Sequence, residues 1–135
     1  VLIMTTPTQA PGLLTALRGH QCIRLTTFRK TGVPVSTPVW FAVEGDRIYL
    51  FSLAGAGKLK RIRNNPSVKV APSDFQGRPL GPEFDASAHI LPETQEKAAD
   101  LVLGRKYGWQ LAMLKLMYRL QGAKRVFVEI QPGEA

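Results

Sequence analysis

Apolar and polar residues along this chain change rhythm several times, and each rhythm predicts a different element. Leu13, Leu14 and Leu17 fall at helical spacing between Pro11 and Gly19, which predicts a short opening helix over Pro11 to Arg18. From Cys22 to Phe28 apolar and β-branched residues alternate with polar ones, the period-two signature of a half-buried strand. Lys30-Thr31-Gly32 marks a turn, and Val33 to Val43 resumes as a strand rich in Val, Thr, Trp and Phe. Pro34 and Pro38 give this second strand an irregular or edge-like course, because proline brings no N–H to a ladder. A second turn at Glu44-Gly45-Asp46 leads into Arg47 to Leu53, so the first half reads as a β-meander.

Ser67 to Ala71 is a short alternating strand, Pro72 to Pro82 is loop-like with clustered Pro, Gly and Asp, and Phe84 to Leu91 gives a fifth strand. At Pro92 the period changes to that of a helix with an acidic first turn and an apolar face of Ala98, Ala99, Leu101, Val102 and Leu103. Gly104 and Gly108 interrupt it, Leu111 to Leu120 makes a second helical piece, and Arg125 to Ile130 closes the chain as a sixth strand. Six short strands with helices inserted late predict a mainly β fold, a small antiparallel barrel with α+β character. The length of 135 residues suits one domain spanning 1–135, with residues 1–10 expected as a flexible extension and Met4 a candidate natural start.

Composition narrows the function. With 44% apolar and 21% charged residues the chain is globular, and its net charge of +8 calls for an anionic partner: nucleic acid, an acidic membrane surface, or an anionic cofactor or substrate. The lone Cys22 excludes an intramolecular disulfide and reads as a buried structural thiol. His20 and His89 are far apart and have no second ligand at metal spacing, so no metal site is expected. No apolar run approaches the length of a membrane span, and Val1 to Thr6 does not form a signal peptide, which makes a cytoplasmic protein the expectation. Serine or cysteine nucleophile sets and paired carboxylates are not visible, so no catalytic side chain is assigned. The chain is expected to bind something, or to let a cofactor carry the chemistry.

The strongest candidate site lies at Gly57-Lys58-Leu59-Lys60-Arg61-Ile62-Arg63-Asn64-Asn65-Pro66. Four cations occur within six residues, just after a strand and the small-residue turn Ala54-Gly55-Ala56. A short basic helix opening from a glycine-rich strand end can offer a phosphate both free N–H groups and cationic side chains. The alternative is a solvated surface helix. Phe28 beside Arg29 and Lys30 is the nearest approach to a nucleic-acid stacking surface.

The hairpin from Thr27 through Gly32, Pro34, Pro38 and Trp40 to Phe41, the strand Arg47 to Ser52, the basic stretch Gly57 to Pro66 and the strand Val68 to Ala71 occur in an order that resembles the pyridoxamine 5′-phosphate oxidase-like split β-barrel family. Within it the chain looks most like the F420 (deazaflavin)-dependent oxidoreductases, a likeness that Arg78 to Pro82 and Arg105 to Gly108 also carry. The resemblance extends from about residue 18 to 131. It implies a homodimer with two cofactor sites at the subunit interface, a phosphate held by Lys58, Lys60 and Arg61, and a bulged second strand lying along the ring at Ser36, Thr37, Pro38, Val39 and Trp40. Ser52 and Arg78 complete the expected cofactor-binding set. It further implies hydride transfer from reduced F420 to a small organic acceptor. The alternatives are FMN in the same fold, a non-catalytic F420 carrier, and, from the charge alone, a nucleic-acid-binding barrel. Tyr107, Trp109 and Tyr118 are candidates for the acceptor pocket or for plain packing.

Overall fold

Phe41 divides what the sequence presents as one long second strand. The computed structural model describes residues 9–133, and in it the segment splits into β2 (Pro34–Trp40) and β3 (Ala42–Glu44). The full order is α1 (Gln9–Leu17), β1 (Cys22–Phe28), β2, β3, β4 (Arg47–Leu53), α2 (Gly57–Asn64), β5 (Ser67–Ser73), β6 (Phe84–Ile90), α3 (Glu93–Tyr107), α4 (Trp109–Gln121) and β7 (Arg125–Pro132). The described residues therefore form seven strands where six were expected. The expected extension at residues 1–10 falls mostly outside the described residues, and α1 already includes Gln9 and Ala10.

All seven strands form one antiparallel sheet in the order β2-β1-β5-β6-β7-β4-β3. Its two margins, β2 and β3, are consecutive in the chain and separated by Phe41 alone. A sheet whose opposite margins are joined through one residue must curl, and this gives the mainly β, split-barrel architecture. The break has a specific cause. Tyr107 Oη accepts the Phe41 N–H at 2.8 Å and lies 2.7 Å from both the Phe41 and the Gln21 carbonyl oxygens, so Phe41 takes its backbone partner from α3 instead of from a strand. The Phe41 side chain is fully buried, and the Lys106 ammonium sits 3.4 Å from its ring centroid.

The core fills the curl. Ile23, Leu25, Ile48, Leu50, Val70, Val128 and Ile130 are wholly inaccessible, each side chain contributing on the order of 1.5–3 kcal/mol of burial. Leu13 and Leu17 of α1 and Leu59 and Ile62 of α2 close its open sides. A second cluster lies under α3 and α4, where Ala99, Val102, Leu103, Tyr107 and Leu111 pack on Ala42, Leu91 and Phe127.

Of the two glycines expected to interrupt the helical region, only one does. Gly104 continues α3, whereas Gly108 adopts φ 55° and ψ −125°, outside the reach of other residues, and separates α3 from α4. The prolines of β2 do not break its pairing: the register with β1 runs unbroken from Cys22 opposite Trp40 to Phe28 opposite Pro34, so the bulge expected in this strand is absent. The Arg29 N–H donates to the Val33 carbonyl at 2.9 Å. By the antiparallel alternation this aims the backbone of Pro34, Ser36 and Pro38 away from β1, toward the open margin. Both prolines thus stand where a missing N–H costs the ladder nothing.

Candidate functional site

A cleft of about 540 Å³ opens where the end of β2, the end of β4, the head of α2 and the inner face of α4 converge. Pro38, Val39 and Trp40 come from β2, Phe51, Ser52 and Leu53 from β4, Lys58 from α2, and Leu114 and Tyr118 from α4, with Phe75 reaching in from the loop after β5. The walls are mainly apolar and include the rings of Trp40, Phe51, Phe75 and Tyr118. Trp40 stacks on Tyr107 at a centroid distance of 4.5 Å and 13° between planes, and Tyr118 meets Phe51 edge-on at 6.1 Å. Cys22 also borders the cleft from beneath; it is buried, and burial pushes its thiol pKa up, which keeps it protonated.

One end of this aromatic cleft is cationic. No side chain caps α2, whose N-cap residue is Ala56, so the first N–H groups of the helix face outward with the positive end of its dipole. Leu59 and Ile62 anchor α2 to the core, and this sets Lys58 and Arg61, one turn apart, along a common flank. Lys58 is half-buried and, among the described residues, has no carboxylate within 4 Å; burial first, and Arg61 second, lower its pKa. Arg61 is held by Nε donating to Thr27 Oγ1 at 2.6 Å. Burial and the neighbouring Arg29 lower its pKa too. Its Nη1 lies only 2.8 Å from where a β-carbon on Gly57 would be, so the guanidinium rests on a bare glycine. Cations gathered without carboxylates repel one another, and an anion bound among them relieves that repulsion.

The α4 wall is tied down by a separate network. Asp100 of α3 accepts from Arg125 Nη1 at 2.9 Å and from Lys115 Nζ at 2.8 Å, and the Arg125 guanidinium lies 5.1 Å from Phe51 and 4.9 Å from Phe127. Burial works to raise the Asp100 pKa, but the bonds from Arg125 and Lys115 outweigh it and hold the carboxyl below its ordinary value.

Five of the residues singled out in the sequence, Pro38, Val39, Trp40, Ser52 and Lys58, line this one cleft. Arg61 stands beside Lys58 on the same helix, while Lys60 is exposed to solvent. Thr37 is half-buried and does not line the cleft, and the Ser36 hydroxyl bonds Thr26 Oγ1 at 2.8 Å at a separate depression. The Arg78 Nε is engaged by Asp74 at 2.6 Å within its own loop. Of the three aromatic candidates, Tyr118 lines the cleft, Tyr107 is buried behind it, and Trp109 points to solvent. Phe51, Phe75 and Leu114 carried no signal in the sequence beyond apolar spacing, and Arg29 stood out only beside Phe28 and Lys30 as a weak nucleic-acid feature. Among the described residues no group of three or more His, Cys, Asp or Glu could hold a metal, and no helix is long and apolar enough to cross a membrane.

Comparison with known proteins agrees with the architecture. Residues 11–135 match the family model described as pyridoxamine 5′-phosphate oxidase. No curated protein sequence matches the chain significantly. Among solved structures, the haem storage protein HutZ from Vibrio cholerae aligns with a TM-score of 0.67 at 16% identity, covering 94% of this chain and 92% of its own. A FAD-binding protein from Mesorhizobium loti aligns at 0.61 and 22% identity, with coverages of 93% and 88%. An F420 reductase aligns at 0.57 and 20% identity, with coverages of 88% and 91%. At these identities the structures establish the shared fold.

Proposed function

Because the chain belongs to the pyridoxamine 5′-phosphate oxidase family, we propose that it binds the deazaflavin coenzyme F420 and transfers hydride from the reduced form to a small organic acceptor. The observation that carries this reading is the joining of two unlike surfaces in one cleft. Aromatic walls at Trp40, Phe51 and Tyr118 suit a flat ring system, and the cations Lys58 and Arg61 at the uncapped head of α2 suit its phosphate. The donor set fits the group on chemical grounds: a half-buried lysine with no carboxylate partner lacks only an anion. The +8 charge of the chain favours a ligand that carries a phosphodiester and an oligoglutamate tail.

The bound coenzyme supplies the hydride; the protein supplies position and dryness. Lys58 and Arg61 would hold the phosphate, with Thr27 and Gly57 fixing the guanidinium. Pro38 to Trp40 at the β2 margin would hold the ring, and Phe51, Leu114 and Tyr118, which line the same cleft, would keep water from the acceptor. The protein works as a homodimer whose second copy completes the open side of the cleft. No side chain is assigned a proton-transfer role, because a solvent proton completes the reduction.

Titration of the purified protein with F420 and with FMN, followed by absorbance and fluorescence, tests the reading. Binding of F420 at least about tenfold tighter than FMN is expected, followed by oxidation of reduced F420 across a panel of acceptors. Micromolar FMN binding with none for F420 would replace the coenzyme by FMN, a reading favoured by the likeness to the FAD-binding structure. Tight F420 binding without any turnover would make the protein a carrier. Salt-sensitive retention of DNA or RNA with no cofactor affinity would reject both.

A further inference from the structure

Helix α4 has two apolar faces where a surface helix needs one. Leu111, Leu114 and Tyr118 turn inward to the second core cluster and the cleft. Trp109, Met113, Leu116, Met117 and Leu120 turn outward, between 45% and 80% exposed. At 100° per residue these five fall within an arc of about 100° along a helix of about 20 Å. An unbroken apolar arc of this size is far from the scattered single residues that an ordinary surface carries.

The charges around the arc indicate what covers it. From Leu101 to Val128 the chain has six Lys or Arg and no Asp or Glu. Arg105 and Lys106 stand at the N-terminal end of α4, Arg119 along its side and Lys124 just beyond its C-terminal end. The carboxylates that reach these cations come from elsewhere and leave an excess: Glu44 meets Arg105 at 3.2 Å, Glu93 meets Lys124 only at 3.9 Å, and Asp100 is taken by Lys115 and Arg125. Among the described residues Arg119 has no carboxylate within 4 Å. A second copy carries the same net charge of +8 and would add like charge to this already cationic border. An anionic surface meets both features at once.

We infer that the outer face of α4 is a membrane-docking surface, which lies in the interface of an anionic lipid bilayer with the arc from Trp109 to Leu120 inserted and Arg119, Lys124 and the Arg105 region against the headgroups. Leu114 and Tyr118 line the cleft from the inward face of the same helix, so docking places α4 between the lipid surface and the cleft and leaves the open side of the cleft to the second copy. This inference does not depend on which coenzyme the cleft holds.

The test is co-sedimentation of the full chain with vesicles of phosphatidylcholine and phosphatidylglycerol in equal parts, and with phosphatidylcholine alone, while tryptophan emission is followed with Trp40 replaced by Phe so that Trp109 alone reports. Binding to the mixed vesicles only, with a blue shift that salt reverses, is expected. Combined M113E and L120E substitution should reduce it by about tenfold or more, and R119Q or K124Q by about fivefold each. These side chains are exposed, so the thermal melting of the variants should match that of the parent chain. Failure to bind the mixed vesicles, or equal binding by the M113E/L120E variant, overturns the inference. So does a loss of dimer mass in that variant, which would give the arc to a second copy, or a preference for soluble polyglutamate over vesicles, which would give it to an acidic protein.

Discussion

The Tyr107 hydroxyl lies 2.8 Å from the Phe41 nitrogen and 2.7 Å from the Phe41 oxygen, so one side chain of α3 answers both backbone groups of the residue at which the sheet turns back on itself. Its burial raises its pKa far above the ordinary phenol value, which keeps the proton in place for donation. Tyr107→Phe keeps the ring beneath Trp40 and removes only the hydroxyl, with its contacts to Phe41 and to the Gln21 carbonyl. Unfolding free energy should fall by roughly 1–3 kcal/mol, the cost of leaving a buried N–H and carbonyl unpaired. Urea unfolding measures it, and an unchanged midpoint would remove Tyr107 from its role at the corner.

Gly57→Ala separates affinity from stability. A β-carbon there would stand 2.8 Å from Arg61 Nη1 and displace the guanidinium, while alanine is the better residue for the first turn of a helix. The melting temperature should hold or rise slightly while F420 affinity falls. Arg61→Met should cost more, about ten- to a hundredfold in Kd, the worth of a charge-assisted hydrogen bond. Equal affinity in both variants would detach the phosphate from this flank of α2.

Burial and Arg61 together lower the Lys58 pKa, and an anion binds the ammonium form. The sign follows from linkage: affinity for the coenzyme is full below the free-protein Lys58 pKa and declines as pH rises through it, at a pH lower than an ordinary lysine would show. Proton uptake on binding should therefore appear on the alkaline side. Lys58→Arg should abolish that uptake and flatten the profile; an identical profile in this variant would mean that Lys58 does not meet the anion.

Asp100 holds α3, α4 and β7 together through Arg125 and Lys115. Its pKa is depressed in the fold, so its stabilisation is present above the unfolded carboxyl pKa and is lost as pH falls through the folded one. Asp100→Asn should lower stability by roughly 1.5–3 kcal/mol at neutral pH and weaken the acid-side dependence of the melting temperature. Matching pH profiles for the two proteins would argue against the network.

Much of this fold can be read from the sequence, because alternation is a local signal. β1, β4 and β7 stand within a few residues of where apolar alternation puts them. The break at Phe41 is not local. Phe41 is as apolar as its neighbours, and what interrupts the strand is a hydroxyl 66 residues away. The two glycines of the helical region differ for a similar reason: Gly104 meets nothing that forces a turn and costs its helix about 1 kcal/mol, while Gly108 occupies a conformation that sequence spacing cannot announce. At the site, the cations of α2 are conspicuous as a cluster. Phe51 and Tyr118 are not, because a residue lining a cleft and one filling a core share the same apolar periodicity until the neighbouring elements are in place.

The prolines of β2 have a last consequence. Their backbone faces outward along the margin of the sheet, with no donor at positions 34 and 38. An extended polypeptide approaching that margin would find its own carbonyls unanswered at every other step, and so could not zip on as an eighth strand. A small ring needs only one or two contacts and is not turned away. The same two residues that disturb the strand pattern close this border to a further strand and leave it free for the coenzyme proposed above.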